Sequence, residues 1–572
     1  MKFRKFNVLA IVLALMIAMT GCGGSSTSAS QSSDASASGN ASSDASGDAS
    51  DSAATAAKII RRSVSGTPKV DPAVGSDGGS TLAMVNLYDS LVYPVSDGTV
   101  EPSLAESWEV ADDNLTYTFK IKEGVKFHNG DTMTASDVAF SMNRLLTIGE
   151  GPAYLFEGYV ENAEATDDTT VVFHMAQPFG PFVATLTKLY IVNEAQIMDN
   201  LVADGPYGDF GDYGKEYMLT HDAGTGAYAL VDIQQQGYVL ADRFEDYWRG
   251  WDNADAPDQI KFIDNVEASS VRTMIGNREL EITDEWQSTE NINAMSKIDG
   301  VEIAVMSTGL TQNMMYNTKL APTDDANYRK ALNCLFDYQM ISDKILVDSP
   351  VSVGPVSANT PGAATDLMQY TYDIEKAKEY LSKSKYANQL ADYPVELFVN
   401  SDVADHEKIA LAFQAAAQQV GITVEITKGP WLAIQERVAT VESTPNMLCI
   451  SVAPHYMEAG SMLATRYHSN SVGTWEQAEW LQSSEIDGLI EDALATTDRD
   501  KRFEKYHDIQ EKLVDIAPTA WLVDLSERHI YQSAYVYWPV AESAKEGNII
   551  TLPMGYTEDY RLFKVFPDQI PQ

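Results

Sequence analysis

Cysteine is scarce in this chain, with three in 572 residues, at positions 22, 334 and 449. A disulfide framework is thereby excluded as the main source of stability. Cys334 falls in a helical pattern and Cys449 in an apolar strand, so two buried free thiols are expected. No Cys-x-x-Cys pair exists and the eight histidines show no close ligand spacing, so neither a metal site nor a cofactor is expected. Basic residues are also few, 40 against 82 acidic ones. That balance argues against nucleic acid, whose phosphates need the opposite sign, and against docking on anionic lipid head groups. Its plain meaning is solubility at an exposed surface. Catalytic signatures are missing too: no Gly-x-Ser-x-Gly elbow, His-Glu-x-x-His helix or Walker loop occurs. "GDFGDYG", Gly208 to Gly214, echoes a kinase Asp-Phe-Gly without the loops that would confirm it. No enzyme is expected. Solenoids and propellers are set aside because no short repeat period appears.

What is present begins with the ends. Lys2, Arg4 and Lys5 precede an apolar run from Val8 to Met19, too short to span a bilayer comfortably and followed by small residues. This is a secretory signal, residues 1–21. "MTGC" resembles a bacterial lipobox, which implies cleavage before Cys22 and acylation of its thiol and new amino terminus. Several acyl chains on one residue anchor a protein stably where one would not. From Gly23 to Ala57 the chain has no aromatic or branched aliphatic residue and cannot bury enough to fold. Residues 22–57 are expected to act as a flexible tether spanning about 30 Å.

The remainder, Lys58 to Gln572, alternates strand and helix signals, which indicates an α/β protein built from more than one sheet. "LTYTFKI" (Leu115–Ile121) and "TVVFHM" (Thr170–Met175) alternate apolar and polar residues. Helical periodicity runs through Ser136–Leu146, Tyr328–Leu346, Ile374–Leu381, Glu407–Val420, Glu485–Ala495 and Arg502–Ile516, the last stopped by Pro518. Val395–Asn400, a helix and Gly421–Ile426 form a strand-helix-strand unit, and Asn446–Ala453 is a further buried strand. Between Lys126 and Leu146 a histidine, an asparagine and two aspartates crowd one turn. Each has a structural use: Asn129-Gly130 is a turn dipeptide, and Thr134 with Asp137 suits a helix start. His128 has no nucleophile or second ligand nearby in sequence, so this stretch is scaffolding.

The segment Pro102 to Leu146, "PSLAESWEVADDNLTYTFKIKEGVKFHNGDTMTASDVAFSMNRLL", closely resembles the signature of the family 5 extracellular solute-binding proteins, the dipeptide, oligopeptide and nickel receptors of ABC importers. "GTGAYALVD" (Gly224–Asp232) resembles the family's Gly-Thr-Gly-Pro-Tyr segment, with Ala227 for the proline. "EDYWRGWDNADAPDQIKFI", "MMYNTKLAPTDDANYRKALNCLFDYQMI", "YDIEKAKEYL" and "TTDRDKRFEKYHDIQEKL" resemble further family segments in the family's order. With a lipobox and tether, the chain is similar to the Gram-positive form of such receptors. The resemblance implies a two-lobed periplasmic-binding-protein-like fold with discontinuous lobes: 58–95, 223–306 and 521–572 in the first, 307–520 in the second, and an inserted subdomain at 96–222. It also implies a monomer that closes on solute in the interlobe cleft and is recognised by permease subunits.

The family's dipeptide receptors hold the peptide's amino group with an aspartate after a second-lobe strand, and its carboxylate with an arginine after another. Counting back from Leu463 puts His455 at the aspartate, Val452 at a neighbouring Trp, Glu458 at a second Asp and Ala459 at a Pro. Counting back from Gly421 puts Asn400 at the arginine. Both charged clamps are missing, and an enclosed zwitterion without partners forfeits several kcal/mol. A longer peptide avoids this, since main-chain hydrogen bonds hold it and its ends reach water. An oligosaccharide stacked on aromatic rings is the alternative; nickel or a metal chelate and a secreted hydrolase are less supported. A sensor or adhesin that binds without transport would share these features, and neighbouring permease and ATPase genes would distinguish an importer. Trp286, Asn400, Trp431, His455, Tyr456 and Glu458 are the candidate cleft residues, while Trp248 and Trp251 match scaffold. Replacing Cys22 with Ser is expected to release the protein from membranes, which fractionation reads directly; unchanged retention would remove the lipid anchor.

Overall fold

The computed structural model describes residues 57–264 and 266–571. The secretory signal, Cys22 and all of the tether but residue 57 lie outside the described residues. Among the described residues no helix is long and apolar enough to cross a membrane.

Two large sheets organise the body. In the first, strand Ile59–Val64 pairs in parallel with Gln259–Asp264, which continues antiparallel to Tyr238–Arg243 and then to Tyr228–Gln234. On its other edge Ile282 bridges Arg62 to Tyr531, joining the antiparallel pair Glu527–Tyr531 and Glu302–Met306 to the same sheet. The second sheet has five strands in the order Val424–Gly429, Val395–Asn400, Met447–Val452, Thr311–Tyr316 and Thr519–Asp524. Its first three strands are parallel and the last two antiparallel to their neighbours. Met447–Val452 lies between parallel and antiparallel partners with helices beyond. It reads as a nearly unbroken apolar run, and all but Ser451 are buried. The result is the expected α/β class in a two-lobed architecture, each lobe on its own sheet.

A third sheet, of strands Ala105–Val110, Thr116–Ile121, Thr170–Met175 and Val160–Asp167, forms the inserted part. Alternation in "TYTFKI" buries Tyr117, Phe119 and Ile121 on one face. Helix Ala135–Ile148 packs there; Thr134 and Asp137 close a reciprocal capping box at its start, and Gly149 ends it at φ 66°. Arg144 of that helix makes two 2.7 Å bonds to buried Asp71 and one of 2.9 Å to the Tyr213 carbonyl, tying the insert to the first lobe. His128 lies in the same joint. Its Nδ1 faces Asp222 at 2.9 Å and its Nε2 the Gly226 carbonyl at 3.0 Å.

Cys334 and Cys449 are both buried and free. The helix predicted over Tyr328–Leu346 is broken. Helix Ala326–Asn333 ends because outside partners take its last carbonyls: Tyr338 Oη donates to Asn333 O, and Asp373 N–H to Cys334 O. A new turn then starts at Asp337, whose side chain accepts the Met340 N–H. The lobe boundary at 520/521 also needs correction, since Trp521 lies inside a strand of the second sheet and the chain leaves that sheet after Asp524. The chain crosses between the two large sheets twice, from Met306 to Thr311 and from Asp524 to Glu527. The crossings run side by side, with Leu525 N–H donating to Leu310 O at 2.8 Å.

Both ring nitrogens of His128 face acceptors, so the imidazolium fits the joint better than the neutral ring. Burial alone would lower its pKa, but the charge and hydrogen bond of Asp222 outweigh burial and raise it above 6.5. A raised folded value means the stabilisation is full below about pH 6.5 and is lost as pH rises through the folded value. In thermal unfolding, the gap between wild type and His128→Gln is expected to be widest below about pH 6.5 and to narrow above it.

Candidate interlobe binding site

The parallel strands of the second sheet end on a common edge, the position where open α/β sheets present ligand-binding residues. Asn400 is the last residue of its strand, and its Oδ1 accepts the Asp402 N–H at 3.0 Å. Asp402 Oδ2 in turn accepts the Trp431 N–H at 3.0 Å, at the start of helix Trp431–Arg437. Pro430 fixes the extended residue before that helix. The Trp431 ring meets Trp475 edge-on at 5.1 Å between centroids. Adjacent Glu476 lies 2.8 Å from His455 Nε2, just beyond the end of strand Met447–Val452. His455 then meets Tyr154 edge-on at 4.9 Å. Tyr154 belongs to the inserted part, so this chain of side chains passes from one side of the interface to the other. Trp431 and Tyr154 are 37% and 42% exposed, leaving aromatic surface free at each end.

Of the six candidates, Asn400, Trp431 and His455 fall in this group. Trp286 stands on a different element, after Ile282 of the first sheet, and is 40% exposed. Its neighbours reach the second lobe: Thr289 Oγ1 donates to Ile345 O at 3.0 Å, and Glu290 pairs with Lys408 at 2.7 Å. Tyr456 and Glu458 are buried and turned inward. Glu458 takes two 2.7 Å bonds from Arg502 and one of 2.6 Å from Tyr506 Oη, so its charge is spent inside the second lobe. Sequence reasoning missed Tyr154, Trp475 and Glu476. Only "GTWE" (Gly473–Glu476) offered a hint, an aromatic and an acid beside a glycine in a loop.

The insert and second lobe also meet where Gly180 N–H donates to Leu494 O at 2.7 Å and Arg499 reaches the Asp97 carbonyl at 3.2 Å. The site is therefore flanked by interlobe contacts. His406, beneath the strand ends, is held neutral: burial lowers its pKa to about 4 while its Nε2 pairs with Gln312. No group of three or more His, Cys, Asp or Glu side chains able to hold a metal ion occurs among the described residues.

Residues 99–474 match the family described as Bacterial extracellular solute-binding proteins, family 5 Middle. The chain belongs to this family. Its members are non-catalytic transport receptors for ABC importers. The probable D,D-dipeptide-binding periplasmic protein DdpA of Escherichia coli is 28% identical over 79% of this chain and 86% of its own length. The oligopeptide-binding protein AppA of Bacillus subtilis is 24% identical over 91% of this chain and 94% of its own. Among solved structures, DppA of Helicobacter pylori in complex with the peptide STSA superposes with a TM-score of 0.72 at 21% identity, covering 89% of this chain and 98% of that one. That likeness shows the fold.

For a family 5 receptor with its lobes in contact, removing one half of a buried ion pair should weaken the second lobe itself. Glu458→Gln is expected to destabilise the fold by roughly 3–5 kcal/mol, since the Arg502 charge is left buried without its partner. Replacing Arg502 with Met in the same chain should recover much of the loss, and denaturant unfolding measures both.

Proposed function

We propose that this receptor captures an oligopeptide between its lobes, closes on it, and delivers it to the permease of an ABC importer from the outer face of the membrane, held there by lipid on Cys22. The carrying observation is the state of the two positions at which the family's dipeptide receptors are charged. Asn400 is uncharged and shaped into a turn, and His455 is already engaged by Glu476. A buried zwitterionic dipeptide would find no opposed pair of charges at these positions. A longer peptide needs none, because open strand ends can pair with its backbone while pockets take alternate side chains. The printed names of two similar proteins support the same ligand class: AppA binds oligopeptides, and the Helicobacter pylori protein holds a four-residue peptide. DdpA's dipeptide name is the counterweight, and the missing clamps outweigh it.

A second reading has an observation of its own. The exposed faces of Trp431 and Tyr154, with Glu476 and His455 between them in the chain of contacts, would suit an oligosaccharide, whose rings stack on aromatic faces.

The test is a thermal-shift screen of the full-length Cys22→Ser protein against peptides of two to eight residues, oligosaccharides and nickel chelates. A ligand at about 1,000 times its dissociation constant stabilises the fold by about 4 kcal/mol. Longer peptides are expected to raise the melting temperature and dipeptides not; a shift with sugars alone would end the peptide reading. Trp431→Ala and His455→Ala are each expected to weaken the binding of whichever ligand responds, with the unliganded melting temperature little changed. Unaltered affinity in both variants would mean that the cleft lies elsewhere.

A further inference from the structure

The inserted part, built on the third sheet, is joined by the chain to the first lobe at both ends, and Arg144 on Asp71 and His128 on Asp222 fix it there. It meets the second lobe without a covalent link. Two of these meetings press glycine main chain against the other lobe. At the turn Asp97–Gly98, the Asp97 carbonyl accepts from exposed Arg499 at 3.2 Å. Gly98, at φ 76°, lies so close that a Cβ would overlap Pro361 Cγ and stand 3.0 Å from the Met457 carbonyl oxygen. At the corner Phe179–Gly180–Pro181, the Gly180 N–H donates to Leu494 O at 2.7 Å.

Gly180 enters the turn between helices Ser484–Leu494 and Arg499–Ile516. A Cβ on it would overlap the Thr496 carbonyl oxygen and stand 2.6 Å from Arg502 Nη1. Neither group is free to move aside. Thr496 O is main chain and accepts from Arg502 Nη1 at 2.9 Å, and the same Nη1 reaches Thr497 O at 3.1 Å. Arg502 is in turn fixed by two 2.7 Å bonds to buried Glu458. The ion pair that holds Glu458 away from solute thus forms the floor of this turn.

The corner on the insert side is equally stiff. Phe179 is buried and stacks on Tyr159 at 4.0 Å, and Pro181 restricts the backbone on both sides of itself. Gly180 does not lie in the left-handed region, so alanine would carry no backbone strain there. Space alone requires the glycine, and that space closes only when the insert and the second lobe meet.

We propose that Gly180 is a positioning residue for lobe closure: lacking a side chain, it lets the insert seat in the Leu494–Asp498 turn, and this seat holds the closed form. The inference rests on the reading that the lobes close on solute. The Gly180 and Arg499 hydrogen bonds are too few to lock the lobes permanently and enough to bias an equilibrium severalfold. Apparent affinity falls with the fraction of protein able to close. Gly180 therefore sets how tightly solute is held without touching it.

The test places dyes on Val110→Cys in the insert and Leu411→Cys in the second lobe, both exposed, in the full-length Cys22→Ser protein, whose Cys334 and Cys449 are buried. Single-molecule energy transfer is recorded with no solute and with a mixture of peptides of four to eight residues. The otherwise unchanged protein is compared with Gly180→Ala and Gly488→Ala. Gly488 lies on helix Ser484–Leu494 with open space where its Cβ would be, so it controls for the substitution itself. Gly180→Ala is expected to lower the odds of the shorter distance about tenfold or more, the effect of overpacking one contact, while Gly488→Ala leaves them unchanged. Equal odds with and without Gly180→Ala overturn the seat, and that is what a merely structural role predicts, with only the melting temperature lowered. An equal loss in Gly488→Ala, or a parent protein that shows only the longer distance in both conditions, overturns it too. If Gly180→Ala does not fold, Arg499→Gln decides: odds lowered about threefold sustain the seat and unchanged odds overturn it. Peptides that leave the parent distribution unchanged count against the peptide reading alone, and the seat is then decided on the solute-free distributions.

Discussion

Among the described residues the chain passes between its two large sheets at two places, and these lie side by side. The Leu525 N–H to Leu310 carbonyl bond and the Thr308 hydroxyl on Glu527 hold the crossings to each other. Everything interlobe follows from that constraint. Two short adjacent connections let one lobe turn on the other while each sheet keeps its register, which is the geometry of a hinge. The candidate solute groups sit on both sides of that axis: the strand ends at Asn400 and His455 in one lobe, and Trp286 in the other.

Charge is the second organising element. In a chain with twice as many acids as bases, buried cations are the scarce species, and most are committed to a specific acid. Arg144 holds Asp71 across the insert joint, Arg466 holds Glu479 under the second sheet, and Arg502 holds Glu458. Such pairs contribute less to net stability than to a unique geometry, because desolvation offsets much of the attraction. Lys188 departs from the pattern. It is buried against the Met554 carbonyl with no acid paired to it among the described residues, and burial lowers its pKa to about 7.

Much of the fold could be read from the sequence because local signals and tertiary packing agree there. The alternation in Thr116–Ile121, the capping box at Thr134–Asp137 and the long amphipathic helices near the C-terminus are set by neighbours in the chain. The reading failed where distant partners decide. Helix Tyr328–Leu346 is split by bonds from Tyr338 and Asp373 to its last carbonyls. Strand Val424–Gly429 starts three residues later than expected because Gly421, at φ 83°, ends the preceding helix and turns the chain. The site was harder still. Asn400 and His455 follow from counting back from Gly421 and Leu463 on the family resemblance, and Trp431 is named as an aromatic candidate. Tyr154, 277 residues before Trp431 and 321 before Trp475, joins them only through the meeting of the insert with the second lobe. Glu458 misled for the same reason, since its partner Arg502 lies 44 residues away on another helix.

The central claim is that solute is captured by closure of the two lobes about the paired crossings. Its most direct measurement is the distance between dyes on Val231→Cys in the first lobe and Leu411→Cys in the second, both exposed in the native protein, in a Cys22→Ser background whose Cys334 and Cys449 are buried. Single-molecule energy transfer is followed as a mixture of peptides of four to eight residues is added. The account predicts an open population that shifts saturably to a shorter distance with added peptide. A single distance that peptide leaves unchanged, with binding shown in the same sample, would contradict it.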